Sequence, residues 1–300
     1  MKKILIIGLS ILAVAIVSCG KNEDNTPQTA SALFFSAYSD SLIGKIDLKN
    51  GAAISDFARG VASGLSTADQ IGLALNTKTG DIYCSVEATN GPIYKVNSNG
   101  VATILYNGAA ADEPGGITYN ASNDRVYWMN RGDGKIYSIS AAGGTPAALF
   151  GGANVNAKGY SIKLDEENGK LYYANFDKIY TGNLDGTGDP TVLYSNITDT
   201  LESPSSIVLD VSGNKIYWTD EDADVLACAN LDGSGNVKIL YNNASHGVSR
   251  SDGLAIDFNA KKIYWTETGS INRIRVGNLD GSETPVNLAS GFESYNLVLK

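Results

Sequence analysis

Ile216-Tyr217-Trp218-Thr219-Asp220 and Ile263-Tyr264-Trp265-Thr266-Glu267 decide the fold of this chain. Each is five residues of β-branched and aromatic character. Period-two alternation sends Ile216, Trp218 and Asp220 to one face of a strand and Tyr217 and Thr219 to the other. Both faces therefore carry an aromatic ring, and both need a covering neighbour. Working outward, the same apolar-aromatic step appears at Leu33-Phe34, Ile82-Tyr83, Val126-Tyr127 and Leu171-Tyr172. Successive aromatic members are 44 to 49 residues apart.

A repeat of that length, built from short apolar runs and Gly-rich turns, is the signature of a propeller blade. The last copy shows the layout: Gly253–Asp257, Ile263–Glu267, Ile271–Leu279 and Thr284–Ala289 read as four strands. Asp280-Gly281 between the third and fourth is a tight-turn signal, and it recurs as Asn50-Gly51, Asn99-Gly100, Gly143-Gly144, Asp185-Gly186 and Asp232-Gly233. Segments with helical periodicity are missing. The sequence thus predicts an all-β, six-bladed propeller of four-stranded antiparallel blades over residues 32–300. The first copy lacks an inner strand, and Tyr295–Lys300 matches the inner strands of the other copies. The C-terminal strand is therefore expected to complete the first blade and close the ring.

The 33 glycines and 16 tyrosines suit many turns joining aromatic-rich strands, and the formal charge of -9 gives no basic face for nucleic acid. Met1-Lys2-Lys3 followed by the apolar run Ile4–Val17 reads as a leader over residues 1–18, too short for a membrane span. Its end, Ile16-Val17-Ser18-Cys19, resembles the lipobox of bacterial lipoproteins, which implies cleavage before Cys19 and a lipid on that residue. Lys21-Asn22-Glu23-Asp24 resembles the export tag of surface lipoproteins in the Bacteroidetes. Residues 19–31 then form a flexible tether, and the chain is expected on the outer membrane, held by its lipid and displayed to the periplasm or the exterior. Cys84 and Cys228 fall on opposite blades, too far apart for a disulfide, so two free buried thiols are expected.

Tyr217-Trp218-Thr219-Asp220 and Tyr264-Trp265-Thr266-Glu267 resemble the YWTD motif of low-density-lipoprotein-receptor class B repeats. Val126-Tyr127-Trp128-Met129-Asn130 and Leu171-Tyr172-Tyr173-Ala174-Asn175 are degenerate copies. The Asn-Leu-Asp-Gly segments from Asn183, Asn230 and Asn278 match the family as well. The resemblance covers residues 32–300 and implies a six-bladed propeller. In that family the motif residues hold the blades together, and partner proteins dock on loops at one rim.

In a four-stranded meander that rim carries the loops between second and third strands and the links between blades. Varied loops on a rigid scaffold are where binding usually resides. The residues singled out there are Tyr38, Glu87, Arg131, Asp133, Tyr160, Phe176, Asp177, Glu221, Asp222, Asp224, His246, Arg250, Asp252, Glu267 and Phe292. The aromatics could anchor a protein or stack on a glycan, or they could simply pack between blades. Glu221-Asp222-Ala223-Asp224 offers the oxygen ligands Ca²⁺ takes, and it equally reads as a solvated turn; no cofactor is required. Arg131-Gly132-Asp133 reads as a turn. His246, Ser249 and Asp252 have the composition of a triad but share one loop, with no strained nucleophile or oxyanion hole. The inner strands begin at Gln70, Gly115, Tyr160, Ser205, Asp252 and Tyr295, which gives the channel mouth one carboxylate, a poor set for metal or acid–base work. The expected function is a non-catalytic binding module for an extracellular or periplasmic protein or glycan, with a hydrolase or lyase using the central channel as the alternative.

Overall fold

The computed structural model describes residues 29–37, 41–50, 53–60, 64–65, 70–110, 112–150, 159–195, 197 and 199–300. The leader, Cys19 and most of the tether lie outside the described residues, as does Tyr38. Among the described residues twenty-four strands form six four-stranded antiparallel sheets. The inner strands are Gln70–Leu75, Pro114–Asn120, Ser161–Asp165, Pro204–Asp210, Ser251–Asp257 and Leu297–Leu299. The second strands, Ala32–Ala37, Ile82–Val86, Arg125–Asn130, Lys170–Asn175, Lys215–Asp220 and Lys262–Glu267, each hold one anchor aromatic. The third strands are Leu42–Asp47, Ile93–Val96, Lys135–Ser140, Lys178–Asn183, Val225–Asn230 and Arg273–Asn278. On the outside run Ala53–Arg59, Ala102–Tyr106, Ala147–Ala148, Thr191–Ser195, Lys238–Asn242 and Val286–Ser290. Each inner strand neighbours the next around the axis, and Leu297–Leu299 lies between Ser251–Asp257 and Gln70–Leu75. The ring is closed.

Turn chemistry explains why each blade folds locally. The first hairpin of five blades places one residue in the left-handed region, at Gly80, Asp124, Gly169, Asn214 and Lys261. Gly, Asn and Asp accept that conformation readily, and Lys261 is the exception. Second-strand alternation divides the core as the sequence implies. Trp218 and Ile216 pack toward the fourth blade with Tyr172 and Tyr194, while Tyr217 packs toward the sixth with Leu254 and Ile256. Both thiols, Cys84 and Cys228, are free and buried.

The blades are joined by a repeated aromatic contact. The outer-strand tyrosine of one blade meets the second-strand tryptophan of the next: Tyr106 with Trp128 at 5.6 Å, Tyr194 with Trp218 at 6.2 Å and Tyr241 with Trp265 at 5.1 Å between ring centroids. The three indoles are essentially inaccessible. Tyr194 Oη donates to the Asn230 carbonyl at 2.6 Å, and Tyr241 Oη to the Asn278 carbonyl at 2.7 Å. The Asn-Leu-Asp-Gly segment therefore receives its neighbour's tyrosine. Gly277 makes room for it, since a Cβ there would lie 2.4 Å from the Tyr241 hydroxyl oxygen.

Closure depends on the clasp between the two ends. Leu33, Phe34 and Phe35 pair with Leu299, Val298 and Leu297. Lys300 adds a backbone bond to the Ala32 carbonyl at 2.9 Å and accepts from Ala32 at 3.1 Å. Deleting Tyr295–Lys300 leaves the first blade three-stranded and bares Phe35, which is fully buried. The deletion is expected to lower the melting midpoint by at least about 10 °C, as several kcal/mol would at about 2–4 °C each. An unchanged calorimetric melt would disprove closure by this strand.

Candidate functional site at the channel mouth

The fourth residue of the YWTD motif organises one rim. Asp220 is fully buried, and its carboxylate accepts from the backbone N–H groups of Glu202 at 2.8 Å, Ser203 at 3.0 Å and Ala223 at 2.9 Å. It ties the link entering the fifth blade to the loop between second and third strands. Burial pushes its carboxyl above the usual range, against those donors. Asn130 does the same in the third blade, accepting from Glu113 N at 2.8 Å and donating to Asp112 at 2.7 Å. The third motif position reaches across blades: the hydroxyl of Thr219 donates to the Asp252 carbonyl, and Ser85 Oγ donates to the Gly115 carbonyl at 2.6 Å.

On this frame Glu87, Tyr160, Ser205, Glu221, Arg250, Asp252 and Tyr295 line a depression of about 320 Å³ at the axis. Its walls hold two cation-centred groups. Arg131 pairs with Glu87 and lies over the Tyr160 ring, 4.3 Å from its centroid. Such a contact immobilises a long side chain through both its charge and its face. Across the mouth, Arg250 pairs with Glu221, and its backbone N–H donates to Asp224 at 2.7 Å. Asp252 sits between them, 4% exposed, accepting from Thr268 Oγ1 at 2.7 Å. Burial is the main cause raising its carboxyl to about 7, with Glu221 and Glu293 adding to the rise.

The mouth thus unites Glu87, Arg131, Tyr160, Glu221, Asp224, Arg250 and Asp252 from the residues singled out in sequence. Others lie elsewhere. Glu267 is 1% exposed and bridges Arg273 at 2.5 Å, Arg275 at 2.9 Å and the Trp265 indole at 2.9 Å, so it braces the sixth blade. Phe292 packs on Phe35 at 5.0 Å, inside the blade interface. His246 ends the short helix Asn243–His246 and rests edge-on against Tyr241 at 5.0 Å. Asp133 is held within its own hairpin by Tyr137 Oη at 2.8 Å, and Asp177 pairs with the adjacent Lys178 at 2.5 Å. Phe176 and Asp222 are open to solvent away from the depression, Phe176 at 60% exposure.

Strand pairing also corrects one position: Gln70 opposite Val86 corresponds to Pro114 opposite Asn130, which makes Ile71, not Gln70, the counterpart of Gly115. Among the described residues no three His, Cys, Asp or Glu side chains converge as a metal site. The carboxylates of Glu221 and Asp224 are engaged with Arg250, and the geometry does not favour the Ca²⁺ reading. A larger groove of about 680 Å³ lies on the opposite rim, between the fifth and sixth blades, on Tyr217, Cys228 and Phe258. It is the cleft where two wedge-shaped sheets diverge, and the burial-raised Cys228 thiol gives it no reactive group. The paired charges at the channel mouth make the smaller depression the better site.

No family model matches the chain. Over 114 residues, 36% of its length, the chain is 30% identical to Protein cueball of Drosophila willistoni; that stretch is 17% of the fly protein. Among solved structures, a chain of the nidogen/laminin complex superposes with a TM-score of 0.72 at 18% identity, over 89% of this chain and 97% of that one. Streptogramin B lyase superposes with a TM-score of 0.58 at 17% identity, over 89% and 84%. At these identities the likeness is one of fold: a six-bladed propeller like that of YWTD proteins.

Two outcomes follow from the rim. Asp220→Ala strands three buried N–H groups and is expected to cost about 2–3 kcal/mol, whereas Asp220→Asn, which copies Asn130, is expected to cost less; equal losses in urea denaturation would contradict the capping role. Asp252 binds its proton more tightly folded than unfolded, so its contribution is present below the unfolded carboxylate pKa and lost as pH rises toward 7. The stability of Asp252→Asn relative to wild type should therefore rise between pH 4 and 7 and level off above. A pH-independent difference would show that Asp252 titrates normally.

Proposed function

We propose that this protein is a non-catalytic binding module that docks a protein partner on the rim around its channel mouth, carried by a lipid on Cys19 at the bacterial outer membrane. The observation that carries the reading is the pair of Arg–carboxylate groups, Arg131 with Glu87 and Tyr160, and Arg250 with Glu221 and Asp224, facing each other across one depression. Packed, partly exposed arginines and tyrosines of this kind are the residues that dominate protein interfaces. A depression of about 320 Å³ admits one inserted side chain of a docked partner. The nidogen chain, named in complex with laminin, shares the fold and lends the reading support by analogy. A glycan stacking on Tyr160 or Tyr295 would use the same rim.

Catalysis at the mouth is the competing reading, favoured by one observation: Asp252 titrates near neutrality beside the channel, in a fold shared with a lyase. Photo-crosslinking in intact envelopes separates the two. Wild type is expected to yield a discrete protein adduct that falls at least tenfold in Arg131→Ala and Arg250→Ala, and stays unchanged in Asp185→Ala on the opposite rim. Equal adduct yields from all four proteins would refute docking at the mouth.

A further inference from the structure

The inner strands present one equivalent residue each to the axis, fixed by pairing with the anchor aromatics. Ala74 lies opposite Tyr83, Thr118 opposite Tyr127, Lys163 opposite Tyr172, Val208 opposite Tyr217, Ala255 opposite Tyr264 and Val298 opposite Phe34. These six form a single ring, and all six line an axial chamber of about 230 Å³. Lys163 is the one charged member. The ring's own Ala74, Val208, Ala255 and Val298 give the chamber its apolar surface, while the preceding Leu73, Ile117, Leu254 and Leu297 are buried between the blades.

An ammonium here needs an explanation. Among the described residues the Lys163 side chain makes no ion pair or hydrogen bond; it is partly exposed to the chamber, and enclosure lowers its pKa to about 8, with no charged neighbour contributing. Burying a charge without a partner is costly. Val208 and Ala255 show that the ring accepts small apolar residues at the same register, so packing does not require a lysine. The strand aligns Asp165 on the same side two residues on, yet that carboxylate is committed to Asn168 at 2.8 and 3.0 Å. The layer between chamber and mouth is made of small residues, Gly72, Gly116, Ser161, Ser206 and Gly253 joined by Asn296; a Cβ on Gly72, Gly116 or Gly253 would lie within 2.8 Å of the neighbouring inner strand, so their size lets the strands close around the axis.

We propose that the chamber binds a small aliphatic monocarboxylate, its carboxylate on the Lys163 ammonium and its chain against Val208, Ala255 and Val298. The guest's carboxylate supplies the counter-charge that Lys163 lacks, and the small apolar ring disfavours hydrated inorganic anions. The volume, about eight waters' worth at roughly 30 Å³ each, limits the guest to a short chain. This site is separate from the rim above it, and its test does not depend on the docking reading.

Titration calorimetry of the full chain with hexanoate is the direct test. Saturable one-to-one binding is expected, at least tenfold weaker for hexan-1-ol and for chloride, and at least tenfold weaker in Lys163→Met. Equal affinity for hexan-1-ol, for chloride or in Lys163→Met would overturn the proposal. Should the variant not fold, carbon-13 hexanoate on wild type gives an independent answer. Cross-relaxation to the Val208 and Val298 methyl groups supports the site, and its absence at saturating hexanoate overturns it.

Discussion

Three of the six blade junctions depend on one contact between neighbouring sheets: an outer-strand tyrosine laid on the second-strand tryptophan of the next blade. Isolated four-stranded sheets of this sequence would expose aromatics on both faces. The tyrosine–indole pair removes both from water and adds an offset-ring attraction. The hydroxyls of Tyr194 and Tyr241 then find a carbonyl in the next blade's Asn-Leu-Asp-Gly turn, at Asn230 and Asn278. The Trp218 and Trp265 indoles donate to the Thr200 carbonyl and to Glu267, whereas the Trp128 indole N–H is buried without a partner among the described residues. The unit recurs at three junctions, and the C-terminal strand clasping the N-terminal one closes the ring with no bare inner edge.

The same motif that holds the blades also shapes the site. Position two of YWTD fills the interface, position three reaches the neighbouring backbone, and position four gathers the N–H groups of the rim loops. Loop geometry at the mouth is thus a consequence of blade packing. Arg131, Arg250 and Asp252 stand on segments pinned by Asn130, Asp224 and Thr219. Preorganisation of this sort lets a charged, partly exposed surface bind without first paying to order itself.

Much of this was legible in the sequence. The repeat length, alternation and turn residues dictate the blades, and the orphan Tyr295–Lys300 segment dictates how they close. The rim followed from topology alone. Which rim residues act together did not, because that depends on pairings across blades, such as Arg131 with Glu87, that are 44 residues apart. Glu267 looked like a rim acid, yet Arg273 and Arg275 on the adjacent strand draw it inward. Phe292 and His246 were drawn inward as well, by Phe35 and Tyr241. Lys163 has a sequence signal that appears only once the inner strands are aligned: among Leu-Ala-Leu, Ile-Thr-Tyr, Ile-Lys-Leu, Ile-Val-Leu, Leu-Ala-Ile and Leu-Val-Leu, it is the lone charge.

The claim that aromatic contact between blades underlies the rest is tested most directly by a double-mutant cycle on Tyr241 and Trp265, read by equilibrium urea denaturation. Tyr241→Leu, Trp265→Leu and the double variant should reveal a favourable coupling of about 0.5–1.5 kcal/mol beyond the separate losses. Strictly additive losses would mean that the two rings are buried side by side without holding the blades together.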